Sequence, residues 1–347
     1  MKKLLFVFAA LTCVTAQAET FYVDWTEENG GDLNAIVSDR NTSDYTPYIR
    51  GSGDNWYKLS ADIDWNLYGT GFYLSQTPRI DLQEHTLAFK SGSGVSFYNQ
   101  AGSIFWKNGT IDFTSIPGSD YRMLGNSPGN KTTTDAGYQN QHGVFENVTI
   151  RRDVAGAKRN LKMMSSNANC DLLVENSTID IQRDYAYVFA PNHTATETDG
   201  VNNRAVFVDS TIKCGKFYTD ASATSPTAPI DLKSEIVFDH STVEVGFAKK
   251  SGGDGTFYLG QVLGGGKVTF TNGSKVKGDT GGWGFDLNVN NPNAHGNTLI
   301  VNGGSTFELS GKNLSIGHTK NASGNSVYLE DCTVNCGQVI MGTQTNE

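Results

Sequence analysis

One stretch of this acidic chain concentrates positive charge. The segment RRDVAGAKRNLK carries Arg151, Arg152, Lys158, Arg159 and Lys162 against the single Asp153. The chain as a whole holds 36 Asp and Glu against 27 Lys and Arg, a formal net charge of −9. Chemistry open to such a cluster is the binding of an anion or a carbohydrate acid. β-Elimination at a uronate needs a cation to neutralise the carboxylate and a basic side chain to remove the α-proton. The competing use of the same residues, and the favoured one, is a solvated loop with one local break in the strand. Glycoside hydrolysis would instead need two carboxylates across the scissile bond, and Asp112, Asp180, Glu244 and Glu308 recur at one position of a repeating unit. Aromatic residues crowd the N-terminal part. Trp56, Tyr57 and Trp65 are the candidates there for stacking on sugars, with the core of an end cap as the competing use. The six histidines share no spacing, and GGGK at 264–267 precedes a strand-like segment where a phosphate loop would precede a helix. Cysteine spacing gives no zinc motif, so neither metal nor cofactor is expected.

These residues sit on a repeating element. Nine segments align on Thr86, Thr110, Thr149, Thr178, Thr211, Thr242, Lys275, Thr306 and Thr333. The residue after each is apolar: Leu87, Ile111, Ile150, Ile179, Ile212, Val243, Val276, Phe307 and Val334. Two further on come Phe89, Phe113, Arg152, Ile181, Cys214, Val245, Gly278, Leu309 and Cys336, with polar or small residues between. Alternation with period two is the mark of a half-buried strand. A second alternating strand lies upstream, with Leu82, Trp106, Phe145, Val174, Phe207, Phe238 and Leu329 facing inward. The copies at Lys275 and Thr306 join after a one-residue shift, as Phe270 and Val301. Between the two strands stand Glu84, Asn108, Asn147, Asn176, Asp209, His240, Gly273, Gly304 and Asp331, residues mostly suited to a left-handed bend. A third apolar run often follows, as in TFYLG and VIMG. Three strands per unit and an irregular period of 24 to 39 residues predict a parallel solenoid of stacked coils.

Arg152 breaks the inward column, so it should be paired inside or twist outward on a local bend. The outward position runs Asp112, Arg151, Asp180, Lys213, Glu244, Lys277, Glu308. Signs alternate along it, and neighbouring coils would set opposite charges side by side. That ladder gives the acids a structural use in place of a catalytic one.

The pair IDLQEHTL and IFWKNGTIDF resembles the opening coils of the right-handed parallel β-helix superfamily, the pectin-lyase-like fold. NGGSTFELSGKNLSIG and SGNSVYLEDCTVNCGQVIMG resemble repeats of bacterial adhesins and autotransporter passenger domains. The resemblance spans roughly residues 57–342 and implies an all-β, right-handed parallel β-helix. It implies an adhesive or structural role without catalysis. The alternatives are a uronate lyase, a glycoside hydrolase or a carbohydrate-binding module, since the superfamily includes polysaccharide-degrading enzymes. The implied partner is carbohydrate or a ligand at a cell surface.

Lys2 and Lys3 before the apolar run Leu4–Leu11, then Ala16-Gln17-Ala18, read as a bacterial signal peptide (1–18) cleaved after Ala18. A secreted or surface-exposed protein is expected, with no membrane-spanning segment in the mature chain. Its acidity argues against nucleic acid as a partner. Residues 19–75 form a distinct N-terminal cap region, where Asp32 before Leu33, Ile36 and Val37 predicts a short capping helix. The β-helix then occupies 76–342, and 343–347 is a tail. Cys332 and Cys336 could bridge a corner, but buried free thiols suit the pattern better.

Overall fold

In the computed structural model, residues 18–341 are described apart from 43, 67–70, 91–94, 100–102, 117–119, 126–140, 153, 155–158, 166–168, 190–201, 221–230, 232, 247–255, 260–263, 279–283, 288–294, 310 and 317–323. The signal-peptide residues 1–17, Lys158 and the tail lie outside them.

The protein is nearly all β, and every strand pairing among the described residues is parallel. Helix is limited there to the turn Leu33–Val37, where the Asp32 carboxylate accepts from the Asn34 N–H at 3.0 Å. Two sheets account for the rest. A flank sheet of twelve strands opens with Glu19–Val23 and Tyr45–Arg50 and takes in the third apolar runs, among them Tyr185–Phe189, Lys216–Asp220 and Thr256–Leu259. A corner sheet holds the strands on either side of each bend and curls nearly closed. Its two halves merge where Ile104–Asp112 and His142–Arg151 run through the bend unbroken. Each pass of the chain therefore lays a new strand beside the previous one in both sheets, which gives a solenoid-like stack.

The register follows the hydrophobic pattern. The nine aligned residues pair one to the next from Thr86 through Thr333. Slipping one strand by a single residue would turn its apolar face outward, so the core fixes the pairing. Phe207, Phe238 and Phe270 stack at 5.0 and 4.6 Å between ring centroids, and Val301 extends their column. One expectation needs correcting. Ile80, and not Leu82, lies opposite Trp106. Gln83 and Glu84 both take left-handed φ (49° and 64°), which widens that corner and tucks Leu82 under Gly109. Residues 19–75 share both sheets with the later coils: Tyr57 pairs with Ile80, Ile63 with Leu87 and Trp65 with Phe89.

All nine bend residues have positive φ, from 46° at Asp331 to 77° at Gly304. Asn and Asp bear this conformation because their short polar side chains bond locally. Here they also bond along the stack: Asn147 donates to Asn108 and Asn108 to Asp81, each at 3.1 Å. Just inside them runs a buried serine column. The N–H groups of Val148, Ser177, Ser210 and Ser241 donate to the hydroxyls of Ser177, Ser210, Ser241 and Ser274 at 3.0–3.1 Å. Each of these four hydroxyls donates back to a main-chain carbonyl, so N–H and hydroxyl are both satisfied along this run.

Candidate functional site

The basic segment divides at its second residue. Arg151 ends the strand His142–Arg151 and faces outward; Arg152 faces in and is 4% exposed. The coil next in the stack supplies the reason. After Ile181 the chain turns tightly, with Gln182 at φ 38° and the Asp184 N–H donating to the Ile181 carbonyl. That turn drives Asp184, 1% exposed, into the interior. Arg152 Nη1 donates to Asp184 Oδ1 at 2.9 Å and Oδ2 at 2.7 Å. The Tyr121 hydroxyl donates to Oδ2 at 2.9 Å, and the Arg159 N–H to Oδ1 at 2.9 Å. Burial, with the Asp184 charge beside it, holds the Tyr121 phenol protonated well above its usual range. Burial likewise raises the thiol of Cys214, which follows Ile181 in the inward column. Arg152 is therefore a structural ion held by Asp184 inside the stack, with its Nε buried and unbonded, and cannot meet a ligand. This corrects its candidacy as an anion site.

Outside the same coils lies a groove of about 360 Å³, lined by Asp112, Thr114, Arg151, Asp180 and Gln182. Three neighbouring strands hold its charges, since Asp112 pairs in register with Arg151 and Arg151 with Asp180. Arg151 Nε and Nη2 reach Asp112 Oδ2 at 2.8 and 2.7 Å. The Thr114 N–H donates to Asp112 Oδ1 at 2.7 Å. Partial burial pushes the Asp112 carboxyl up, but the Thr114 hydrogen bonds and the Arg151 guanidinium outweigh it and leave the group below its ordinary value. Asp180 Oδ1 is buried and has no hydrogen-bond donor. A buried acceptor without a donor is costly, and a ligand hydroxyl in the groove would supply one.

The other expected residues scatter. Arg159 is held by its main chain to Asp184, and Lys162 stands on the flank sheet opposite Arg122 and Tyr187. Tyr57 and Trp65 are 0% and 2% exposed. Tyr57 accepts from the Trp25 N–H at 2.8 Å and pegs the first strands together; Trp65 stacks into the column above Phe89. Neither ring is offered to a sugar, which corrects both candidacies. Trp56 is half-buried, with Lys107 Nζ 4.1 Å from its ring centroid. The four described cysteines are free, Cys170 and Cys214 buried and Cys332 and Cys336 partly so. Among the described residues no cluster of His, Cys, Asp or Glu is placed to hold a metal ion, and no helix is long and apolar enough to cross a membrane.

Thr114, Gln182, Asp184 and Tyr121 were not found from sequence, because they lie off the repeat. Asp112 and Asp180 were visible as ladder members, but nothing in the pattern marks the opening between them. Comparison with family models, curated proteins and solved structures finds no match for this chain.

Proposed function

We propose that this is a secreted or surface-exposed bacterial protein with an adhesive or structural role and no catalytic one. In this reading its stacked coils form a right-handed parallel β-helix whose first coil is covered by the turn Leu33–Val37. Its ligand is carbohydrate, taken at the Arg151 groove through hydroxyl groups. The supporting observation is the charge balance of that groove. Arg151 is matched by Asp112, Asp112 is held ionised below its usual range, and Asp180 Oδ1 lacks a donor. Such a site offers hydrogen bonds of both senses, and Asp112, held below its usual range, is not poised to deliver a proton at neutral pH.

The test uses the chain from Glu19 onward on a glycan array and in parallel incubations with neutral and uronate polysaccharides. Retention of a neutral glycan is expected, weakened about tenfold by Arg151→Ala or Asp180→Asn, with no new reducing ends or unsaturated products. Product release by the parent that vanishes in Asp180→Asn would overturn the non-catalytic reading.

One observation favours that alternative. Asp112 and Asp180 stand two strand spacings apart, roughly 10 Å, close to the separation that inverting glycosidases use. Arg151 occupies the space between them, so the water position such a mechanism requires is already filled by a guanidinium. A uronate lyase has less support, because Arg152 is buried and Arg151 is neutralised.

A further inference from the structure

The two sheets end differently at the first coil. The turn Leu33–Val37 covers the corner sheet there, where Asp32 bridges to Lys58 and the Lys58 N–H donates to the Gly31 carbonyl at 2.8 Å. The flank sheet ends on the strand Glu19–Val23, which among the described residues pairs only with Tyr45–Arg50. Glu19 lies opposite Tyr45, and its N–H donates to the Asp44 carbonyl at 2.9 Å. In a parallel ladder a residue turns both main-chain groups to one side, and the next residue turns its own to the other. Glu19, Phe21 and Val23 therefore bond to the second strand, and the N–H and C=O groups of Thr20 and Tyr22 face away from the sheet. Thr20–Val23 carries none of the usual guards of such an edge, a charge, a proline or a bulge. Beside it runs a groove of about 440 Å³, with Phe21 and Tyr22 on one side and Ala35, Ile36, Asp39 and Arg40 on the other. Phe21 and Ile36 pack partly buried against the core, while Tyr22 is 52% exposed. Arg40 lies over the Phe21 ring at 4.5 Å. Asp39 is exposed and has no ion-pair partner among the described residues. Residues 19–50 hold seven Asp and Glu against two Arg, and Arg50 is already bound to Asp24 at 2.7 Å.

We infer that this edge takes an extended, basic segment of a partner protein, added as a further strand beside Glu19–Val23. The surface and the ligand class are both distinct from the carbohydrate groove. Thr20 and Tyr22 supply two donors and two acceptors roughly 7 Å apart, the spacing of alternate residues in an incoming strand. An apolar side chain of that strand meets Phe21 and Ile36, and lysine or arginine beside it meets Asp39 and the surrounding carboxylates. Charge selects this occupant. A second copy meeting the edge about a two-fold axis would set the same acids against one another. An acidic segment would meet the same repulsion.

The experiment is fluorescence polarisation of a labelled hexapeptide of alternating lysine and valine, titrated with the chain from Glu19 onward. Binding that weakens as salt rises is expected. None is expected for the matching glutamate–valine hexapeptide, or for the lysine–valine hexapeptide with its backbone N-methylated. Thr20→Pro removes an outward N–H and leaves the bonds to Tyr45–Arg50 in place, and should weaken binding about tenfold. Asp39→Lys should weaken it about fivefold. Equal binding of the two charge types, binding undiminished by N-methylation, or no binding at all would overturn the site. So would a dimer in sedimentation velocity that Thr20→Pro dissociates, because the edge would then belong to a second copy. Thermal midpoints close to the parent's show that the variants fold; should Thr20→Pro not fold, the N-methylated peptide makes the same test of the edge. Neutral-glycan retention should follow Arg151→Ala and ignore Asp39→Lys, so the two sites fail independently.

Discussion

An arginine that points into an apolar column must bring its counter-charge with it, because an isolated buried cation costs several kcal/mol. Asp184 is that counter-charge for Arg152, and Tyr121 and the Arg159 main chain fill its remaining lone pairs. Removing one partner should be far worse than removing both. Asp184→Asn is expected to lower stability by about 3–5 kcal/mol, while Arg152→Met/Asp184→Leu recovers part of that loss. Urea denaturation midpoints of the two variants check this, and a double variant no better than the single would show that the pair is not coupled. Arg152 was legible in the sequence as a break in a column otherwise apolar or small. Its partner was not, because Asp184 sits in a turn with no counterpart in other coils. Tyr57 and Trp65 misled for another reason. Rings are as useful to a core as to a sugar site, and composition does not say which side they face. The coil they belong to was missed because Asp62 stands where the later coils have threonine. Its carboxylate accepts from the Thr86 N–H at 2.8 Å.

The corner is the element that sets the stack. Its left-handed residue was legible at seven of the nine positions, since Asn, Asp and Gly announce that backbone, but not at Glu84 and His240. The serine column beside it was not singled out, although Ser177, Ser210, Ser241, Ser274 and Ser305 each immediately precede an aligned residue. Serine is common in turns, and only the geometry shows that the hydroxyls of Ser177, Ser210, Ser241 and Ser274 cap N–H groups of the neighbouring coil. Ser210→Ala would leave the buried Ser177 N–H without its acceptor. A loss of about 1–3 kcal/mol is expected, together with faster amide exchange at Ser177 than at residues several coils away. Uniform exchange across the chain would show that the column carries no local stability.

Across the whole molecule, many coil-to-coil ion pairs make stability depend on pH in a defined direction. Asp112 and Glu235 both titrate below their ordinary values in the folded state. For Glu235 the hydrogen bond from Lys267 dominates, with burial opposing and the Lys267 and Arg204 charges assisting. A depressed folded pKa means that the contribution is complete above the unfolded value, about 4 for these groups. It is lost as pH falls through the folded value. Tyr57 works at the other end. Burial lifts its phenol to about 12, so its contribution is complete below about pH 10 and declines as pH rises from there through 12. Thermal midpoints should therefore hold between these limits and fall outside them. Asp112→Asn/Glu235→Gln should flatten the acid limb; an unchanged slope would assign that limb to other groups. The parallel stacked architecture was legible from the pattern, whereas the groove depends on how three adjacent coils happen to curve, which no single segment records.

The stacking of coils also bears on how the molecule would respond to load. Its strands lie across the long axis of the stack, so a pull from end to end tests the bonds between coils one layer at a time. A coil such as that from Thr211 to Thr242 holds 31 residues. It contributes about 4.8 Å to the folded length and about 100 Å once drawn out. Each layer that peels away would lengthen the tether roughly twentyfold for that segment while the layers behind it stay intact. A stack built this way would give under tension in steps, shedding mechanical work as each layer opened.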